Sequence, residues 1–87
     1  MSLLALERLR EEAPNILKKF GPVAQIGKAV EEMAELTVEL MKQRDSAKIQ
    51  EEVADCLIML YQLRMMYGLT EVDKFIWAKL DRTSKLK

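Results

Sequence analysis

Hydrophobic and polar residues recur along this chain at the spacing of amphipathic helices, and few glycines or prolines interrupt them. The pattern predicts four helices, which together account for most of the sequence. The first helix is expected from Leu3 to about Glu12 and the second from Pro22 to about Gln43. The third is expected to end near Tyr67, and the fourth is expected to begin near Thr70. The predicted fold is therefore an all-α, compact four-helix bundle.

The predicted boundaries depend on capping and helix-breaking residues. Ser2 is a candidate N-cap for the first helix, and Pro14 is expected to end that helix, with a short turn over Asn15–Phe20. Gly21 and Pro22 mark the clearest break. Residues 44–46 form a short turn in which Asp45 or Ser46 can cap the third helix. Gly68 suits the position after a helix end, and Thr70 is expected to cap the fourth helix.

The second and third helices differ in the placement of their charges. Apolar residues cover almost every direction of the third helix, which is typical of a central, buried helix. Glu52 and Asp55 nevertheless lie on a stripe that continues as apolar residues. Carboxylates seldom occupy such positions unless they are paired or bind a cation. The second helix is more regular, with one polar side made of Gln25, Lys28, Glu32, Glu35 and Glu39.

Composition excludes several classes of function. The 87 residues fit one domain, 1–87, and the net charge of zero argues against a nucleic-acid partner. The absence of histidine excludes Ser-His-Asp and Cys-His catalysis within one chain. The single cysteine, Cys56, is expected to be a small buried residue and favours a reducing, cytoplasmic location. No apolar run is long enough for a membrane partner to be expected.

Two acidic strings carry the candidate chemistry. EEMAE, from Glu31 to Glu35, lies on the second helix, and EVAD, from Glu52 to Asp55, lies on the third. A short turn predicts an antiparallel hairpin in which the two strings face each other. Carboxylates this close repel one another, and a divalent cation with oxygen ligands, Mg²⁺ or Mn²⁺, would relieve the repulsion. The pattern suggests metal-assisted hydrolysis of a phosphoanhydride, although a solvated acidic face is the simpler interpretation of EEMAE alone.

EExxE followed by ExxD, on the second and third of four helices, resembles the MazG-like family of all-α nucleoside triphosphate pyrophosphohydrolases. The resemblance covers roughly residues 25–85, including the run EEVADCLIMLYQL. It implies Mg²⁺-dependent cleavage of a nucleoside triphosphate into a monophosphate and pyrophosphate. It also implies residue roles: metal ligation by Glu32, Glu35, Glu52 and Asp55, activation of water by Glu31, and phosphate contacts from Lys79 and Arg82.

Three hypotheses remain open from the sequence. The first is a nucleotide pyrophosphohydrolase, the second a nucleotide-binding protein without turnover, and the third a helical oligomerisation or adaptor protein. A homodimer or homotetramer is expected, because so short a chain cannot surround its apolar third helix. Trp77 and Phe75 are expected to pack in the core or in a dimer contact rather than on a base. The active site is expected where the acidic hairpin meets the fourth helix of the same chain or of a partner.

Overall fold

The computed structural model describes residues 1–85 and is 91% helical, with four helices and no strand among those residues. The helices are α1 (Leu3–Phe20), α2 (Pro22–Lys42), α3 (Ser46–Tyr67) and α4 (Leu69–Ser84). The helices pack against one another, so the predicted all-α bundle is confirmed. Residues 86 and 87, the end of the expected domain, lie outside the described part of the chain.

Helix α1 is longer than the sequence predicts. Ser2 caps it as expected, accepting a hydrogen bond from the Ala5 amide at 3.1 Å. Pro14 does not end it, and the helix continues through residues 15–20. Pro14 lacks the N–H that would bond the Arg10 carbonyl, but Arg10 is exposed to water. Ala13, which is fully buried, lines a groove with residues of α3. This packing accounts for a helical conformation that the following proline disfavours.

Helices α2 and α3 form the central hairpin and the largest helix–helix contact. Gln43 ends α2 with a left-handed backbone, φ 48°, and a three-residue link leads into α3. Asp45, rather than Ser46, is the N-cap of α3, and its carboxylate accepts hydrogen bonds from the Ala47 and Lys48 amides at 3.0 and 3.3 Å. The short link makes the two helices antiparallel, as the sequence predicts.

Helix α3 is central because it contacts all three other helices, whereas α4 contacts α3 alone. Within one chain α3 is not covered on every side, as its apolar character in so short a chain leads us to expect. Its buried residues are Glu52, Cys56, Met59 and Gln62, on one side only. Elsewhere Leu57 is 42% exposed and Leu60 48% exposed. Four helices of this length cannot cover every side of α3.

Helix α4 begins directly after α3. Gly68, at φ 115°, turns the chain and occupies the N-cap position, so Thr70 lies inside the first turn and the expected Thr70 cap is wrong. Arg64 of α3 holds α4 by a two-pronged contact with Asp73, with both N–O distances 2.7 Å. This hydrogen-bonded pairing lowers the pKa of Asp73 below its usual range. Every residue from Lys74 to Lys85 is exposed, so the rest of α4 is little covered by the bundle.

None of the helices within residues 1–85 combines the length and the apolar character required to span a bilayer.

The interior that the four helices form is unusually polar. Its buried apolar residues are Ala13, Ala29, Cys56 and Met59, and its buried polar residues are Gln25, Glu32, Glu52 and Gln62. Carboxylates and amides are rare in such numbers inside so small a domain. The polar residues on the hairpin therefore require a chemical explanation.

Candidate metal centre

The two most deeply placed carboxylates lie in the contact between α2 and α3. Glu32 is 6% exposed and Glu52 is 3% exposed. The Cys56 thiol donates a hydrogen bond to the Glu32 carbonyl at 3.4 Å, which places these parts of the two helices level with each other. The pattern of the second helix alone favours a solvated acidic face, but this interpretation is wrong for Glu32, which is buried.

The hairpin brings all five predicted acidic residues into two overlapping groups. Oxygen atoms of Glu31, Glu32 and Glu35 lie within 4.8 Å of one another, and so do oxygen atoms of Glu32, Glu52 and Asp55. Glu32 belongs to both groups. We refer to these five residues as the acidic cluster. Glu31, Glu35 and Asp55 are exposed, so the cluster has a buried base and an open side.

Two lysines pair with the buried base of the acidic cluster. The ammonium nitrogen of Lys28 lies 3.0 Å from one oxygen of Glu32, and that of Lys48 lies 3.3 Å from one oxygen of Glu52. Lys28 also approaches Glu31 at 3.7 Å. The hydrogen bond from Lys28 lowers the pKa of Glu32, and the hydrogen bonds to the carboxylates raise the pKa of both lysines.

The lysines leave part of the buried base unsatisfied. The second oxygens of Glu32 and Glu52 are buried and have no hydrogen-bond partner among the described residues. A buried carboxylate oxygen without a partner is costly, so such atoms are uncommon in folded proteins. These two oxygens mark a place where a further positive group would be stabilised.

Repulsion within the acidic cluster appears in its other members. Burial, followed by the negative charge of Glu32, raises the pKa of Asp55. The negative charge of Glu32 is also the largest cause of a raised pKa at Glu35. Five carboxylates face only two lysines, so negative groups remain in excess. Oxygen ligands in excess negative charge suit a hard divalent cation such as Mg²⁺ or Mn²⁺, and the residues present therefore fit that group.

The predicted phosphate-binding residues are not part of the acidic cluster within one chain. Lys79 and Arg82 are exposed on α4, which does not contact α2. Neither residue forms an ion pair with a cluster carboxylate in the part of the chain that the structure describes. Helix α4 contacts the hairpin through α3 only, and an approach of Lys79 and Arg82 to the acidic cluster of the same chain stays a prediction. A contribution from a partner chain remains a prediction.

The predictions for the aromatic residues of α4 and for the cysteine of α3 compare differently with the structure. Trp77 is 77% exposed and Phe75 is 66% exposed, so neither packs in a core within the chain. Their predicted role in a dimer contact stays a prediction. Cys56 is buried as expected, and burial raises the pKa of its thiol, which does not favour a nucleophilic role.

Sequence reasoning assigned no role to Lys48, and it placed Lys28 on the polar side of α2 without a partner. The signal was present, because each lysine precedes a buried glutamate by four residues, in the strings KAVEE and KIQEE. Gln62 gave no comparable signal within its apolar surroundings. It is fully buried, its amide nitrogen lies 3.8 Å from the Met59 sulfur, and its amide oxygen has no hydrogen-bond partner in the described part of the chain.

Comparison of the chain with protein-family models, with curated proteins and with solved structures found no match. The MazG-like resemblance accordingly remains an expectation from the residues that carry it. What the chain does must be argued from the chemistry of the acidic cluster.

Proposed function

We propose that this chain is a Mg²⁺-dependent nucleotide pyrophosphohydrolase that cleaves a nucleoside or deoxynucleoside triphosphate to a monophosphate and pyrophosphate. One observation carries the proposal: Glu32 and Glu52, in a cluster that has excess negative charge, each have a buried oxygen without a hydrogen-bond partner among the described residues. A purely structural acidic face would leave its carboxylates in water. The EExxE and ExxD strings supply the choice of reaction, through the family that they resemble.

Each residue of the acidic cluster has a role in this proposal. Glu32, Glu35, Glu52 and Asp55 hold the cation, with the two buried carboxylates at the base and the two exposed ones at the open side. When bound, Mg²⁺ neutralises phosphate charge and activates a water molecule. Glu31 is exposed beside Glu32, and it orients the attacking water and accepts its proton. Mn²⁺ is an acceptable substitute for the same oxygen ligands.

The proposal includes a homodimer or homotetramer, and the surface of the chain supports this. A compact monomer of this size would expose about 5,300 Å², whereas the chain exposes 7000 Å². Its radius of gyration is 14.6 Å, compared with about 12 Å for a compact domain of the same length. The excess is about 1,700 Å² and exceeds the roughly 800 Å² that each partner buries in a standard interface. Assembly would bring Lys79 and Arg82 of a second chain toward the acidic cluster.

The decisive experiment is a screen of common nucleoside and deoxynucleoside triphosphates with Mg²⁺ and with Mn²⁺. The expected products are a monophosphate and pyrophosphate, identified by chromatography before any pyrophosphatase is added. Orthophosphate as the first product would contradict the assigned bond cleavage. A reaction that continues in excess chelator would contradict the metal requirement.

The proposal also includes a cytoplasmic location, where Cys56 would remain a free thiol.

A second candidate, a helical adaptor with weak or no catalysis, is favoured by α4. That helix exposes Phe75, Ile76, Trp77 and Leu80, which suit contact with another protein. The adaptor hypothesis predicts binding through α4 without any response to metal or nucleotide. A nucleotide-binding protein without turnover predicts the metal response and nucleotide binding, but no pyrophosphate. The triphosphate screen and a metal titration together separate the three hypotheses.

A further inference from the structure

Lys28 and Lys48 occupy equivalent positions at the two buried carboxylates. Each lysine lies one helical turn before its glutamate and contacts only one of that glutamate's two oxygens. The other oxygen of each glutamate has no hydrogen-bond partner within residues 1–85. The lysine side chains are 50% and 46% exposed, so their ammonium groups reach the buried base from the solvent side. The two lysines are therefore half-exposed cations at the edge of the acidic cluster rather than enclosed parts of it.

The antiparallel hairpin places these lysines at opposite ends of the acidic cluster. Lys28 lies toward the start of α2 from Glu32, and Lys48 lies toward the start of α3 from Glu52. Because the two helices run in opposite directions, the two lysines bracket the carboxylates along the hairpin axis. An extended anion held over the acidic cluster would thus have one ammonium group near each end.

We propose that Lys28 and Lys48 are substrate-positioning residues that exchange their carboxylate partners for phosphate oxygens of a polyphosphate when a divalent cation binds the acidic cluster. This inference rests on the proposed function and assigns it two phosphate-binding residues on the hairpin itself. They act in addition to Lys79 and Arg82, which lie on a helix that does not contact α2.

The exchange follows from the charges. In the metal-free chain the lysines are the cations that pair with Glu32 and Glu52, and each lysine contacts one of the two oxygens of its carboxylate. A divalent cation held by these carboxylates would repel the lysine and compete with it for the carboxylate oxygens. The flexible lysine stem then allows the ammonium group to move a few ångström to a new anion. Phosphate oxygens of a polyphosphate are the acceptors that arrive with the cation, and lysine binds them as a point charge.

The two ligands of this site should respond in opposite directions to loss of the lysines. Without Lys28 and Lys48 the cation no longer competes with internal positive charges, so it should bind more tightly. The polyphosphate loses two cationic contacts, so it should bind more weakly. A role limited to stabilising the fold would change neither affinity in this opposed way.

The test uses Lys28→Gln, Lys48→Gln and the double variant, with Lys42→Gln as the matched control. Lys42 pairs with Glu39 on the same hairpin at 4.0 Å, but Glu39 lies outside the acidic cluster. Isothermal titration calorimetry measures the Kd of Mn²⁺ alone. A second titration measures the Kd of inorganic tripolyphosphate for protein kept saturated with Mn²⁺. Neither measurement requires turnover.

In the double variant we expect Mn²⁺ to bind at least about threefold more tightly and tripolyphosphate at least about tenfold more weakly. Each single variant should show a smaller change of the same sign, and Lys42→Gln should match wild type. Unchanged affinities, or weaker binding of both ligands, would overturn the lysine exchange.

The outcome also separates this inference from the proposed function. Opposed changes in a protein that releases no pyrophosphate would uphold the lysine exchange and refute the hydrolysis. Pyrophosphate release with unchanged affinities in the lysine variants would do the reverse. Absence of Mn²⁺ binding by wild type would overturn both, since both require a cation at the acidic cluster.

Discussion

The interior of the α2–α3 hairpin and the surface of α4 depart from ordinary protein chemistry in opposite ways. The hairpin buries Glu32 and Glu52, which are charged residues that normally remain in water. Helix α4 has no buried residue and leaves Trp77 and Leu80 77% and 61% exposed. Buried charge calls for a counter-charge, and a concentrated apolar surface calls for another apolar surface. The contrast fits the two separate partners that we propose, a cation for the hairpin and a second protein chain for α4.

Helix α4 contacts the hairpin only through α3, where Arg64 pairs with Asp73, and the ion pairs of the acidic cluster involve no residue of α4. Changes in residues that share no partners usually have independent effects on stability. Substitutions in the acidic cluster should therefore alter the response to metal, and substitutions on α4 should alter assembly. A variant that changed both properties would indicate that the complete site forms only between chains.

The largest effect is expected from Asp55→Asn on catalysis. Asparagine retains the shape of the side chain but removes a negative charge from the proposed cation ligands. With a triphosphate that wild type cleaves, kcat should fall by at least about a hundredfold. The measurement is steady-state pyrophosphate release at saturating Mg²⁺. Glu39→Gln is the control, since Glu39 lies on the same hairpin but outside the acidic cluster. Full activity in Asp55→Asn would remove Asp55 from the site.

The next effect concerns stability with and without metal. A cation that binds only the folded protein should stabilise it by about 2.7 kcal/mol at a hundredfold excess over its Kd. For a domain of this size that corresponds to a rise in Tm of about 10 °C or more. Thermal melts in Mn²⁺ should show this rise, whereas sodium chloride of matched ionic strength should give much less, because screening alone supplies no site binding.

Asp55→Asn is the paired variant in the same melts. Burial and the charge of Glu32 already raise the pKa of Asp55, so its ionised form is unfavourable in the metal-free fold. Removing that charge should leave metal-free stability equal to wild type or higher, and it should abolish much of the Mn²⁺ shift. The same small shift in both proteins, in Mn²⁺ and in matched salt, would favour the adaptor hypothesis over a metal site.

A change in assembly is the third expected effect. Light scattering at micromolar concentration should give wild type at least twice the mass of one chain. Trp77→Glu places a charge on the exposed apolar side of α4 and should reduce that mass toward one chain, with the Mn²⁺ response retained if the metal site lies within one hairpin.

Val23→Glu is the matched control for assembly. Val23 is also an exposed apolar residue, at 84%, but it lies at the start of α2. Its replacement should leave the mass unchanged. A monomeric wild type would contradict the predicted oligomer, and equal effects of both substitutions would contradict the choice of α4.

The parts of the fold that the sequence could predict are those that depend on local features of the chain. Helical periodicity and the breaks at Gly21, at residues 44–46 and at Gly68 are local properties, so they predict four helices. The prediction that Pro14 ends α1 was wrong because the packing of Ala13 on α3 offsets the unfavourable effect of the proline on the helix. This packing is a tertiary contact, which local sequence rules do not describe. Thr70 misled because the backbone of Gly68 already turns the chain into α4.

The acidic cluster was predictable in part for a related reason. The spacing within EEMAE and EVAD determines which carboxylates share a helix face, and the short link determines that the two faces meet. The depth of Glu32 depends on how the helices pack, which spacing alone does not reveal. The attachment of α4 to α3 likewise includes an ion pair between Arg64 and Asp73. Such a pairing between two helices has no periodic signature in the sequence.

The smallest effect tests that ion pair, the main polar attachment of α4 to the bundle. Asp73→Asn should lower Tm at neutral pH by up to about 5 °C, since a well-oriented but partly exposed pair contributes modestly. The Mn²⁺-induced rise in Tm should be unchanged, because neither Arg64 nor Asp73 belongs to the acidic cluster. The control is Asp81→Asn, which breaks an exposed pair with Lys85 within α4 and should change Tm less.

The dependence of this difference on pH follows from the pKa of Asp73. Arg64 lowers that pKa in the folded protein, so the folded state favours the ionised carboxylate. The stabilisation is therefore fully present above the ordinary carboxyl pKa of about 3.9 and is lost as pH falls through the lowered folded value. Melts from pH 6 down to pH 3 should show wild type and Asp73→Asn converging in Tm. A difference that stayed constant over that range would mean that the Asp73 charge does not hold α4 in place.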